Sequence, residues 1–137
     1  MVLQVGIRAL QQRRDQMRGS ADAVAGTGDA ATACLLLFYA AECGLKERLL
    51  ARRGLRDSSG LEPTHDLRKL AKELGLPRTI GACLNRLQSC RLHPPTRGSV
   101  ALADLHQAWR YGAKLDAADE KEAHETLRTL ITWCEQD

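Results

Sequence analysis

Aromatic side chains are scarce: Phe38, Tyr39, Trp109, Tyr111 and Trp133 are all that this chain of 137 residues carries. A core built on stacked rings is therefore excluded, and Leu, Ala, Ile, Val and Cys must fill it. Leu and Ala are strong helix formers, and β-branched residues are sparse, so composition points to an all-α fold. Long apolar runs are missing too. The longest, Ala33 to Ala41, is about half of what a bilayer-spanning helix needs, so no membrane partner is expected. Met1 to Leu10 carries no long apolar stretch, so no signal peptide is expected and the chain reads as cytoplasmic. The five cysteines, Cys34, Cys43, Cys83, Cys90 and Cys134, form no CxxC pair and have no zinc-ligand spacing. They read as reduced thiols, with Cys34, Cys43 and Cys134 buried, and neither a metal nor a cofactor is implied. HExxH, P-loop, GxSxG and Cys–His signatures are absent, as are internal repeats and low-complexity tracts.

What is present suits one helical domain over residues 1–137, divided into an N-terminal helix and loop (1–29) and a core (30–135). The formal net charge of +3 is modest, but it is unevenly spread. Arg8, Arg13, Arg14 and Arg18 make the start basic, and Lys46, Arg48, Arg52, Arg53 and Arg56 form a second cluster. The end turns acidic through Asp116, Asp119, Glu120, Glu122, Glu125, Glu135 and Asp137. Such asymmetry suits an anionic partner or self-association of opposite faces; solvated helix faces that neutralise each other are the plainer account.

Hydrophobic spacing predicts six helical segments, four to five of them main helices of an up-and-down bundle. Leu3, Ile7, Leu10 and Met17 mark a first helix from Val2 to Arg18; Gly19-Ser20 offers one end, the stretch after it a weak helical continuation, and Gly26-Thr27-Gly28-Asp29 a clear breaker. Asp29 offers a cap for a second, from Ala30 to Arg53, with Gly54 closing it. Its first half is apolar on nearly every side, the mark of a central helix. Thr64 or His65 is expected to cap a third helix with Leu67, Leu70, Ala71 and Leu74 inward, stopped by Gly75-Leu76-Pro77. A fourth is predicted over Thr79–Arg91, which would put Cys83 and Cys90 on one helical face. A fifth follows over Ala101–Tyr111 and a sixth over Ala117–Glu135. Helices one and two carry more apolar surface than a lone bundle of this size needs, which implies a homodimer.

Few residues could carry chemistry. Glu42 and Lys46, one turn apart on the most apolar helix, make either a local ion pair or an inward carboxylate needing a cation from elsewhere. Arg110, beside Tyr111, is the candidate cation; it otherwise complements a helix C-terminus or binds phosphate. His65 reads as a cap or packing residue, or as a ligand-binding group. Arg86 with His93, and His106 with Arg110, are Arg–His pairs of the kind that stabilise a phosphorane and shuttle protons in metal-independent RNA cleavage.

The run Phe38-Tyr39-Ala40-Ala41-Glu42-Cys43-Gly44-Leu45-Lys46-Glu47-Arg48-Leu49-Leu50, then Thr64-His65-Asp66-Leu67-Arg68-Lys69-Leu70, then Trp109-Arg110-Tyr111-Gly112 and an acid-rich last helix resembles the HEPN domain family. The resemblance covers about Ala30 to Glu135 and implies a helical bundle, usually a homodimer. It further implies a setting in toxin–antitoxin pairs, in phage defence or beside a nucleotidyltransferase. Active members are metal-independent ribonucleases that use an Arg and a His separated by a short variable stretch. This chain departs from that motif. Tyr111-Gly112-Ala113-Lys114-Leu115-Asp116-Ala117 follows Arg110 without a His, and the Arg86–His93 pair has the spacing but runs into Pro94-Pro95. The resemblance thus implies a non-catalytic binding or assembly module for nucleotide, RNA or a protein partner, with Glu42, Lys46, His65, Arg110 and Tyr111 as binding candidates. The alternative is an RNA-cleaving toxin built on Arg86, His93, His106 and Arg110.

Overall fold

Asp29 and Gly54 set the ends of the central helix. The Asp29 side chain accepts from the Thr32 backbone N–H, and Gly54 adopts φ +65°, so helix α2 spans Ala30–Arg53 as its sequence predicts. Residues 4–136 are described by this computed structural model, which is mostly helical with one small sheet. Around α2 pack α1 (Ile7–Ala25), α3 (Leu67–Leu74), α5 (Leu105–Arg110) and α6 (Ala117–Glu135). Being surrounded, α2 buries Leu37, Phe38, Ala40, Ala41, Leu45, Leu49 and Leu50 completely. One contiguous core draws on all of these helices. Among the described residues no helix is long and apolar enough to cross a membrane.

Several boundaries differ from the sequence expectation. Val2 and Leu3 lie outside the described residues. Helix α1 begins only at Ile7, because the backbone before it is extended against the turn at Ser58–Gly60: Ser58 N–H donates to the Val5 carbonyl at 2.9 Å, and Gly6 bridges Asp57. Of the two ends the sequence offers, the later one holds: the helix continues past Gly19-Ser20 to Ala25, just before Gly26, with Ala21 fully buried. An interior glycine costs a helix about 1 kcal/mol, less than packing against a neighbour returns.

Helix α3 is capped by Asp66 rather than Thr64 or His65. The Asp66 carboxylate accepts from the Arg68 and Lys69 N–H groups, while Thr64 Oγ1 accepts from Asp66 N–H. Helix α4 spans Arg78–Arg86, short of the expected Arg91. Ser89–Arg91 instead forms strand β1, paired antiparallel with β2 (Ser99–Ala101) in the register Cys90 to Val100. Period-two exposure explains the change: Cys90 is buried, while Ser89 and Arg91 face out. Cys83 and Cys90 therefore share no helical face. The loop between the strands holds a cis Pro94–Pro95 bond. The expected fifth helix is shorter as well, because Ala101 belongs to β2 and Leu102–Asp104 forms a 3-10 turn.

Arginines finish several helices. Arg68 Nη2 donates to the carbonyls of Leu84 and Leu87 at the end of α4, and Arg52 donates to that of Leu74 at the end of α3. Arg14 and Arg48 donate to the Cys134 and Trp133 carbonyls at the end of α6. Cations placed there satisfy free carbonyls and oppose the helix dipole. Tyr111, 77% exposed, is the one exposed large hydrophobic side chain among the described residues. On the first two helices Ile7, Met17, Leu35, Leu36 and Tyr39 are half-buried.

Candidate functional site

Glu42 lies on α2 with its side chain only 12% exposed, and it is held from two directions. Lys46 Nζ, one turn on, donates to Oε2 at 3.0 Å. His65 Nδ1 meets Oε1 at 2.6 Å from the segment before α3. Both readings of Glu42 are thus partly met: the local ion pair exists, and a second group arrives from another element. That group is His65 and not Arg110. Arg110 is exposed at the end of α5, with its guanidinium 5.7 Å from the Tyr111 ring centroid. Asp66 performs the capping, which leaves the His65 ring free to turn toward Glu42.

An ionised carboxylate can only accept, so Nδ1 of His65 is the donor to Glu42, and Nε2 is the ring nitrogen that this bond leaves unused. With the His65 side chain 61% exposed, the ring is oriented by a buried acid while remaining reachable. His106 stacks behind it, with ring centroids 5.3 Å apart, and lies 5.0 Å from the Phe38 ring on its other contact. Burial, then the neighbouring His65, lowers the His106 pKa below the usual imidazole value, against an opposing pull from Glu42.

Beside Glu42 and Lys46 opens a cleft of about 280 Å³ between α1, α2 and the chain around Leu61. Leu10, Leu61 and Pro63 give it apolar walls, and two cations, Arg13 and Lys46, and two acids, Glu42 and Glu62, bring charge to it. Arg13, Leu61 and Pro63 were not singled out for a site by their sequence positions. They come together only when the loop folds over α1 and α2.

The remaining candidates are dispersed. Arg86, exposed at the end of α4, donates to Cys83 Sγ at 3.4 Å and borders a groove against α6. His93 is exposed in the hairpin loop, its backbone N–H bonded to the Lys114 carbonyl. No contact joins this pair, and none joins Arg110 to His106, which faces Phe38 and His65 instead. Trp109 is packing: it is 3% exposed and donates to Glu120 at 3.1 Å.

All five cysteines are free; Cys90 is buried, while Cys43 is only half-buried. Burial pushes the thiols of Cys34, Cys90 and Cys134 up to about 12, which makes them poor nucleophiles. Among the described residues no three His, Cys, Asp or Glu side chains gather as a metal ion would require. Sequence spacing alone could have found one buried polar residue, Arg14, which falls on the apolar stripe between Leu10 and Met17. No protein-family model, curated protein or solved structure matches this chain.

Proposed function

We propose that this protein is a HEPN-like helical binding module whose ligand is a nucleotide, or the nucleotide unit of an RNA, taken into the cleft beside Glu42 and Lys46. The observation that carries the reading is the composition of that cleft. Apolar walls suit a base, Arg13 and the Glu42-paired Lys46 suit a phosphate, and the Glu42 carboxylate, which already holds Lys46 and His65, keeps lone pairs that can accept from an exocyclic amine. Its volume is near the lower end of small-ligand pockets, about 300–1,000 Å³, and suits a base more than a large cofactor. The HEPN resemblance supplies the wider setting: a homodimer partnered with a nucleotidyltransferase or defence effector in a prokaryotic toxin–antitoxin or phage-defence system.

Calorimetric titration with the four ribonucleoside monophosphates tests this. At least one should bind with a sub-millimolar Kd. Lys46→Ala and Arg13→Ala should each weaken it by about tenfold, the usual scale for a lost charge-assisted hydrogen bond. No heat with any of the four, or affinity unchanged in both variants, would overturn the proposal.

One observation favours a second reading, metal-independent RNA cleavage. The Glu42–His65 bond engages Nδ1 and leaves Nε2 on an exposed ring, the geometry that general acid–base catalysis uses, with His106 behind it. On this reading the protein cleaves structured RNA in EDTA, and His65→Ala lowers the rate by about 10²–10⁴-fold. Intact RNA after prolonged incubation leaves the binding module standing and removes the enzyme.

A further inference from the structure

We infer that the opposite side of α2 carries a second, separate surface that docks single-stranded nucleic acid on Trp133, Arg48 and Arg52. Helical geometry separates it from the cleft. Lys46 and Arg48 are two residues apart, about 200° around a helix of 3.6 residues per turn, so they face opposite ways. The basic cluster of α2 is thereby divided between two sites.

Charge on this side is uncompensated. Lys46 is paired with Glu42, Arg53 with Glu73 at 3.6 Å, and Arg128 with Asp22. Arg48 and Arg52 instead bond to main-chain carbonyls, of Trp133 and Leu74. A carbonyl satisfies an N–H without cancelling the cation. Among the described residues no carboxylate forms an ion pair with either. Each guanidinium has five N–H donors; the Nε of Arg48 is buried, so its terminal nitrogens are the ones left for a ligand.

An aromatic ring stands between two hollows here. The Arg48 guanidinium lies over Trp133, 5.2 Å from the ring centroid. Trp133, Arg48 and Arg52 border an open hollow of about 460 Å³. Trp133 also borders another of about 270 Å³, with Ile80 and Arg128 at its edge. Cations for phosphates beside a ring for a base are the two elements that hold single strands without sequence preference. An acidic peptide would use the cations but has no need of a half-buried indole bordering a base-sized hollow.

Fluorescence polarisation of a labelled single-stranded oligonucleotide of about 12 nucleotides, within the usual range of strand-site sizes, is the test. Trp133→Leu should weaken binding by about five- to a hundredfold, while Trp133→Phe, which keeps a ring, should restore most of it. Arg52→Glu should weaken it by about tenfold and flatten its salt dependence. Circular dichroism establishes that each variant is folded, and Arg52→Glu tests the surface independently should Trp133→Leu fail to fold. Wild-type affinity in Trp133→Leu and Arg52→Glu overturns the inference. So does a strand whose binding falls only with Lys46→Ala, which would place it in the first cleft and leave the proposed function intact. Polyglutamate that competes as well as the oligonucleotide and binds Trp133→Leu undiminished also overturns it, marking an acidic-protein surface. Mononucleotide binding without oligonucleotide binding removes this surface alone.

Discussion

Arg14→Ala should destabilise the fold by about 3–5 kcal/mol, the cost of stranding a buried charge. The stranded group is Glu47. Its side chain is 6% exposed and that of Arg14 10%, with Nη1 and Oε2 3.9 Å apart. Gln11 donates to Glu47 Oε1 at 2.7 Å, but Oε2 is buried with no hydrogen-bond partner, so the Arg14 charge is its principal compensation. Arg14 also donates to the Cys134 carbonyl at the end of α6 and meets Asp15 at 3.0 Å. Removing it therefore frees a carbonyl and uncovers an acid together. Glu47→Ala should cost a similar amount, and the double mutant much less than the sum. Replacing both by apolar residues of similar size, Arg14→Met with Glu47→Leu, should recover most of the loss, because neither charge then needs solvation and only the bonds to the Cys134 carbonyl and from Gln11 stay unmade. For a chain of this length the single changes should lower Tm by about 10–20 °C. Thermal melts of the four variants decide: small, additive shifts would show that the two residues do not depend on each other.

Gly44→Ala should also destabilise, although Ala is the better helix former. An added Cβ would lie 2.9 Å from both Cβ and Sγ of Cys134 and 3.2 Å from Arg14 Cδ. Gly44 is thus where α2 lets α6 and α1 approach closely. Overpacking of a tight core costs about 1–3 kcal/mol, more than the roughly 1 kcal/mol that Ala gains over Gly in a helix. Cys134→Ala in the same background should recover only part of the loss, since the Cβ contact persists. Gly81 in α4 is the control, because a Cβ there would meet nothing within 4 Å. Gly81→Ala should stabilise by about 0.5–1 kcal/mol. Urea unfolding of both measures the contrast, and a stabilised Gly44→Ala would show that the helices can separate without cost.

Those two sites were only half legible before folding. Arg14 lies on the apolar stripe of α1, so its spacing marks it as buried, but no spacing names Glu47 as its partner 33 positions along the chain. What the sequence by itself determined is local. Helices α2 and α6 run as their spacing predicts, because Asp29, Gly54 and Asp116 act on backbone groups within a turn of themselves. The inward stripe of α3 and the Glu42–Lys46 pair follow from the same short-range periodicity. The tertiary structure decided the rest. It carried α1 past Gly19-Ser20, turned Ser89–Arg91 into a strand, left Arg110 in solvent, and brought His65 to Glu42 and His106 to His65. Each of these depends on which faces meet across the core, where the free energy of burial and pairing between distant segments exceeds the small local preferences that a sequence displays.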